Sequence, residues 1–148
     1  PFQVGLINLA LSFIGAKAPE ALLKAADSDV AEVRVAAISA LGDQIQKGDN
    51  LRAQNRVFQA LEDVSADVRA EAVTLIGKSC DAEDVETLLL KKLSDEDTQV
   101  RKNTALSLMK LDALGAIQQL KIAEQKEDDP DVKAVIRVAI NILSAKTG

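Results

Sequence analysis

One phrase of about thirteen residues comes back along the whole chain. It reads SADVRAEAVTLIG over Ser65–Gly77, DVAEVRVAAISALG over Asp29–Gly42, DTQVRKNTALSLM over Asp97–Met109 and, more loosely, PDVKAVIRVAINI over Pro130–Ile142. Its marker valines are Val33, Val68, Val100 and Val132, so the steps are 35, 32 and 32 residues. A unit this short cannot bury its apolar face alone, and units repeated at this period stack in a line. Few folds satisfy that condition.

Each period leaves room for two helices. The phrase is the second of them. A shorter amphipathic stretch precedes it at Pro19–Ala26, Leu51–Glu62, Asp84–Leu93 and Ala116–Glu124. Within the phrase, apolar residues fall at the valine and four and eight places on: Val33, Ala37, Leu41; Val68, Ala72, Ile76; Val100, Thr104, Leu108; Val132, Ile136, Ile140. That spacing keeps one face of a helix apolar. Small residues such as Ala37 and Ala72 let paired helices approach closely. With three Phe, no Tyr and no Trp, the packing falls to Leu, Ala, Val and Ile. Strand signals are lacking, so the expected class is all-α.

The turns are acidic or hydroxylated. Asp27-Ser28-Asp29, Ser94-Asp95-Glu96-Asp97 and Glu127-Asp128-Asp129-Pro130 suit helix starts, where side-chain oxygens accept from unpaired N–H groups. Asp129 reads as a cap with Pro130 at the first helical position. The acidic turn at 94–97 lacks the ligand spacing and glycine of a calcium loop. Asp43–Asn50 reads as the longest connection and accounts for the 35-residue step.

These residues resemble the HEAT-repeat family, in particular the short bacterial type named after bilin lyases of light-harvesting antennae. The match rests on the turn acids, the pairs Val33-Arg34, Val68-Arg69 and Val100-Arg101, the following Ala and Leu or Ile, and Gly42 and Gly77. The last repeat departs from it, with Lys133 in the arginine position and no closing glycine. The resemblance implies a right-handed α–α superhelix of about nine helices: a half repeat at residues 1–16, then repeats at about 18–47, 51–79, 83–111 and 115–146. It also implies a stacked ladder in which Arg34, Arg69 and Arg101 meet acids such as Asp67 and Asp95, with Glu32 and Asp97 close by. An anion-binding stripe is the rival reading of the same arginines.

The ends carry expectations of their own. Pro1–Ala16 is the most apolar stretch and ends in Ala16-Lys17-Ala18, which mimics a signal-peptide cleavage site. It has no basic segment ahead of it and is too short to span a bilayer. It reads better as the second helix of a repeat inside a longer protein. The final helix, with Val132, Val135, Ile136, Val138, Ile140 and Ile142, reads as apolar nearly all round. An apolar end calls for a cover, either flanking repeats or self-association.

Chemistry is sparse. The chain has no His, which removes Ser-His and Cys-His nucleophile pairs and histidine metal sites. There is no glycine-rich phosphate loop. Two enzymatic relatives of the fold are disfavoured, an iron hydroxylase that needs His ligands and a DNA glycosylase that needs a basic, aromatic cleft. The net charge is 18 minus 23, or −5, which argues against nucleic acid. The lone Cys80 fits a reducing cytoplasm.

What remains is the surface. In HEAT arrays the second helices line the concave side. Two and six residues after each marker valine, the side chains point away from the core: Val35 and Ser39, Ala70 and Thr74, Lys102 and Leu106, Ala134 and Val138. The set is small and partly apolar, where an ordinary exposed face carries more charge. It reads either as small residues chosen for helix propensity or as a shallow groove for a partner's peptide or helix. The expected function is a non-catalytic, cytoplasmic protein-binding scaffold without cofactor, metal, membrane or nucleic acid. The alternative is a bilin-lyase-like subunit, or a chaperone, for chromophore attachment to an antenna protein.

Overall fold

Each copy of the phrase forms a long helix and each stretch before it a shorter one. The computed structural model describes residues 19–47 and 50–148; the expected half repeat at 1–16 lies outside them. The described residues form eight α-helices and no strand. These are α1 (Pro19–Ala25), α2 (Ala31–Lys47), α3 (Leu51–Gln59), α4 (Ala66–Ser79), α5 (Ala82–Lys92), α6 (Thr98–Lys110), α7 (Ile117–Lys126) and α8 (Pro130–Thr147). Short 3₁₀ turns at Ala60–Glu62 and Leu114–Ala116 close α3 and open α7. The protein is therefore all-α, built of paired helices in chain order.

The chain falls into two compact units, Pro1–Leu75 and Ile76–Gly148, with α4 crossing the boundary. In the first unit α1 packs on α2 and α2 on α3. Leu22, Ile38, Leu41, Val57, Val68 and Val73 are its large buried side chains, each 2% exposed or less. In the second, α6 packs on both α5 and α8, and α7 on α8. Leu89, Val100, Leu108, Leu120, Ile136 and Leu143 form the core there. Each such side chain taken out of water contributes roughly 1.5–3 kcal/mol. Val33, the first marker, is only half-buried.

Local chemistry sets the helix starts. Asn50 caps α3 by accepting from Ala53 N at 3.1 Å, and Asp97 caps α6 by accepting from Val100 N at 3.0 Å. Asp129 caps α8, accepting from Asp131 N at 2.9 Å and Val132 N at 3.0 Å, with Pro130 at the first helical position. At the end of α6 the chain turns through Asp112, whose φ of 53° lies in the left-handed region. A short polar side chain tolerates that conformation.

Two expectations are corrected. Asp43–Asn50 is not a long connection, because Asp43–Lys47 belong to α2. Residues with good helix propensity simply carry the helix on, so the extra length of the first step is helix. The last helix is not apolar all round either, although Val138 and Ile142 stay exposed on it. Five places after the marker valine stand Ile38, Val73 and Ala105, all fully buried, whereas α8 has the exposed Arg137. Nine places after stand Gly42, Gly77 and Met109, whereas α8 has the exposed Asn141. Arg137 donates through Nε to Glu124 Oε1 of α7 at 2.6 Å. The face that stacks in the earlier copies is polar in α8.

The two helical glycines sit where neighbouring long helices approach. The three atoms nearest a Cβ on Gly42 all belong to the side chain of Leu75, with Cδ2 at 2.6 Å. A Cβ on Gly77 would reach the Ser107 backbone, with Cα at 2.8 Å. The first neighbour can rotate away and the second cannot.

Candidate functional site

The recurring arginines and the turn ahead of each long helix form one repeated device. Counting back five residues from the marker valines gives Ser28, Asp63, Asp95 and Glu127. In every copy this side chain accepts the backbone N–H two residues on: Val30 N to Ser28 Oγ at 3.2 Å, Ser65 N to Asp63 Oδ1 at 2.8 Å, Asp97 N to Asp95 Oδ1 at 3.0 Å, and Asp129 N to Glu127 Oε1 at 3.1 Å. The backbone carbonyl of the same residue accepts from the arginine of its own hairpin. Arg34 Nη1 donates to Ser28 O at 2.9 Å, Arg69 Nη1 to Asp63 O at 2.8 Å and Arg101 Nη1 to Asp95 O at 2.8 Å.

The guanidinium forks then reach the turn of the following hairpin. Arg34 donates from Nε and Nη2 to the two oxygens of Asp63, both at 3.0 Å. Arg101 donates from Nε and Nη2 to the two oxygens of Glu127, at 2.7 and 2.9 Å. A planar fork and a carboxylate fit side by side, which makes these pairs both strong and directional. Their side chains are 16% exposed or less.

Both carboxylates are held below their ordinary pKa. For Glu127 the Arg101 fork is the main cause and outweighs the cost of burial. For Asp63 burial pushes the other way, but Arg34 and the Ser65 N–H together overcome it. A carboxylate kept charged in this way is the opposite of a general acid, whose pKa has to rise toward the working pH.

The acids expected beside the arginines are placed differently. Asp67 stands exposed in the first turn of α4 and Glu32 in that of α2. Asp97 is a cap. Asp95 does occupy the turn position, its carboxylate 6% exposed and 4.0 Å from Lys92 Nζ. Asp63, absent from the sequence reading, and Glu127, which reads there only as part of a helix start, receive the two forks, although their 32-residue spacing through Asp95 is visible in the sequence.

The expected partner-binding residues are unequally open. Val35, Ser39, Thr74, Lys102 and Leu106 are half-buried, Ala134 is exposed and Val138 is 50% exposed. Ala70 is the exception, only 8% exposed. Thr74 Oγ1 donates to Ala70 O at 3.0 Å. Val35 lines a hollow of about 290 Å³ together with Ala31, Glu32 and Asp67.

A groove of about 440 Å³ runs between α5 and α7. Its walls include Leu90, Leu93, Ile122 and Ala123, and the Arg101–Glu127 pair and Lys126 lie along it. The matching place between α1 and α3 is crossed by ion pairs, Arg52 to Glu20 and Arg56 to Asp27. Among the described residues no cluster of His, Cys, Asp and Glu could hold a metal ion, and no helix is long and apolar enough to cross a membrane.

Paired helices, a 32-residue period and an arginine that locks each turn define an α-helical repeat protein, and the profile of HEAT repeats matches residues 55–141. The chain belongs to the HEAT-repeat family. It is 47% identical over 142 residues to a bilin biosynthesis protein, MpeU, of Synechococcus sp. (strain WH8020). That match covers 96% of this chain and 48% of the relative, so the chain spans about half the relative's length. Among solved structures it resembles a designed armadillo repeat protein in complex with the peptide (KR)4, with 25% identity and a TM-score of 0.64 over 92% of this chain and 69% of that one. It also resembles an engineered protein, with 21% identity and a TM-score of 0.60 over 93% and 67%.

Proposed function

We propose that the chain serves bilin biosynthesis as the repeat segment of a bilin-lyase-like protein. In this role it holds the polypeptide that accepts the chromophore. The observation that carries the reading is the 47% identity, over nearly the whole chain, to a protein of bilin biosynthesis. The physical reading agrees with a holding role. Its arginine forks are spent on turns and on joints between hairpins, while the positions two and six residues after the marker valines carry small or apolar side chains apart from Lys102. A repeat scaffold offers such faces as extended docking surfaces. The likeness to an armadillo repeat protein that carries a peptide supports a polypeptide as the thing held.

The experiment is co-elution. The purified chain is mixed with an antenna apoprotein and a linear tetrapyrrole, and the mixture is separated by size. A complex of chain and apoprotein, with colour appearing on the apoprotein faster than in its absence, is the expected result. No complex and no change in colour uptake would overturn the reading.

A further inference from the structure

The long helices carry different chemistry in the two units. In the first unit the positions six after the marker valine hold Ser39 and Thr74, and exposed Glu32, Asp43 and Asp67 stand around them. In the second unit the same positions hold Leu106 and Val138. Val138 is 50% and Ile142 40% exposed, and they stand one turn apart on the same face of α8. With Ala134 they recur every fourth residue down α8, and Leu106 and Met109 lie half-buried on α6, which packs against it. The result is an apolar strip shared by two helices.

Its charge is lopsided. Lys102 and Lys110 stand on the α6 side, and neither is in an ion pair among the described residues. Arg137 and Lys146 of α8 are engaged by Glu124 and Asp112. Within α6 and α8 themselves the sole acid is Asp131, in the first turn of α8.

We infer that this α6–α8 strip docks an amphipathic helix of a partner protein whose apolar stripe is flanked by carboxylates. The inference rests on the proposed holding role and names the chemistry of what is held. An extended strand has no edge to pair with here, since the backbone groups of α6 and α8 are bonded within their own helices. A helix needs only apolar anchors one turn apart, and the strip from Ala134 to Ile142 supplies about 12 Å of them. The two lysines favour an acidic flank and disfavour a basic one.

Two labelled helical peptides of about eighteen residues test this. Both carry leucines one turn apart; one has glutamate flanks and its twin has lysine flanks. Fluorescence anisotropy with the purified chain should show the glutamate peptide binding about tenfold more tightly, or better. V138S/I142S should weaken both, and K102E/K110E should reverse the preference, with melting temperatures close to that of the parent chain. Equal binding of the twins, or indifference to either double variant, would overturn the inference. So would a dimer in light scattering that V138S/I142S dissolves, since a second copy would then occupy the strip. If colour transfer succeeds while the twins bind alike, only this inference falls. If the twins behave as expected without any effect on an antenna apoprotein, only the proposed function falls.

Discussion

Arg101 shows how much one side chain can be asked to do. Its fork closes on Glu127, and its remaining nitrogen ties down Asp95 O and Glu96 O, at 2.8 and 3.1 Å. Arg101→Ala strips a largely buried carboxylate of its partner and releases a turn. The expected loss is about 2–3 kcal/mol, from hydrogen bonds to charged groups. In a chain of this size that lowers the melting temperature by roughly 4–12 °C, read by circular dichroism. Arg101→Lys keeps the charge but not the fork, and should recover only part of the loss. A variant that melts with the parent would show the pair to be idle. The arginines were plain in the sequence because they sit beside the valines. Their carboxylates were not, because Asp63 and Glu127 lie five residues upstream and belong to the following hairpin. Contact across hairpins leaves no local pattern, only a shared period, and the serine at position 28 breaks even that in the first copy.

At the level of the helix, the two glycines give opposite expectations. Alanine inside a helix is intrinsically better than glycine by about 1 kcal/mol. At Gly42 the added methyl has to displace only the tip of Leu75, so Gly42→Ala should leave the melting temperature nearly unchanged. At Gly77 it meets the Ser107 backbone, so Gly77→Ala should cost about 1–3 kcal/mol as overpacking. Equal effects of the two would mean the long helices slide apart easily. Asp129→Ala removes both cap bonds of α8 and should cost about 1 kcal/mol, with faster amide exchange confined to its first turn. Helix positions were legible from the spacing of apolar residues, and the ends from caps such as Asp129. The long connection at Asp43–Asn50 was misread because polar residues in a run look like a loop, although nothing in Asp43–Lys47 stops a helix.

For the molecule as a whole, acid is the informative perturbation. Asp63 in the first unit and Glu127 in the second both titrate below their ordinary values of 3.8 and 4.5. The stability they supply is therefore complete above about pH 4.5 and is lost as pH falls through their lowered folded values. The melting temperature should hold at neutral and mildly acid pH and drop below pH 4.5, and R34A/R101A should flatten that drop. A double variant with an undiminished acid response would place the sensitive groups elsewhere. Architecture was readable at this scale because a repeat states it four times over. The proposed link to bilins was readable only through resemblance, since no residue of the phrase carries that chemistry.

The contrast between the two glycine contacts has a mechanical side. Where Gly77 meets Ser107, an added methyl would run into the serine's Cα as well as its side chain, and backbone cannot turn aside. Where Gly42 meets Leu75, a pair of methyl groups forms the cushion. A leucine tip can change rotamer where a backbone cannot, so of the two joints the one at Leu75 is the softer.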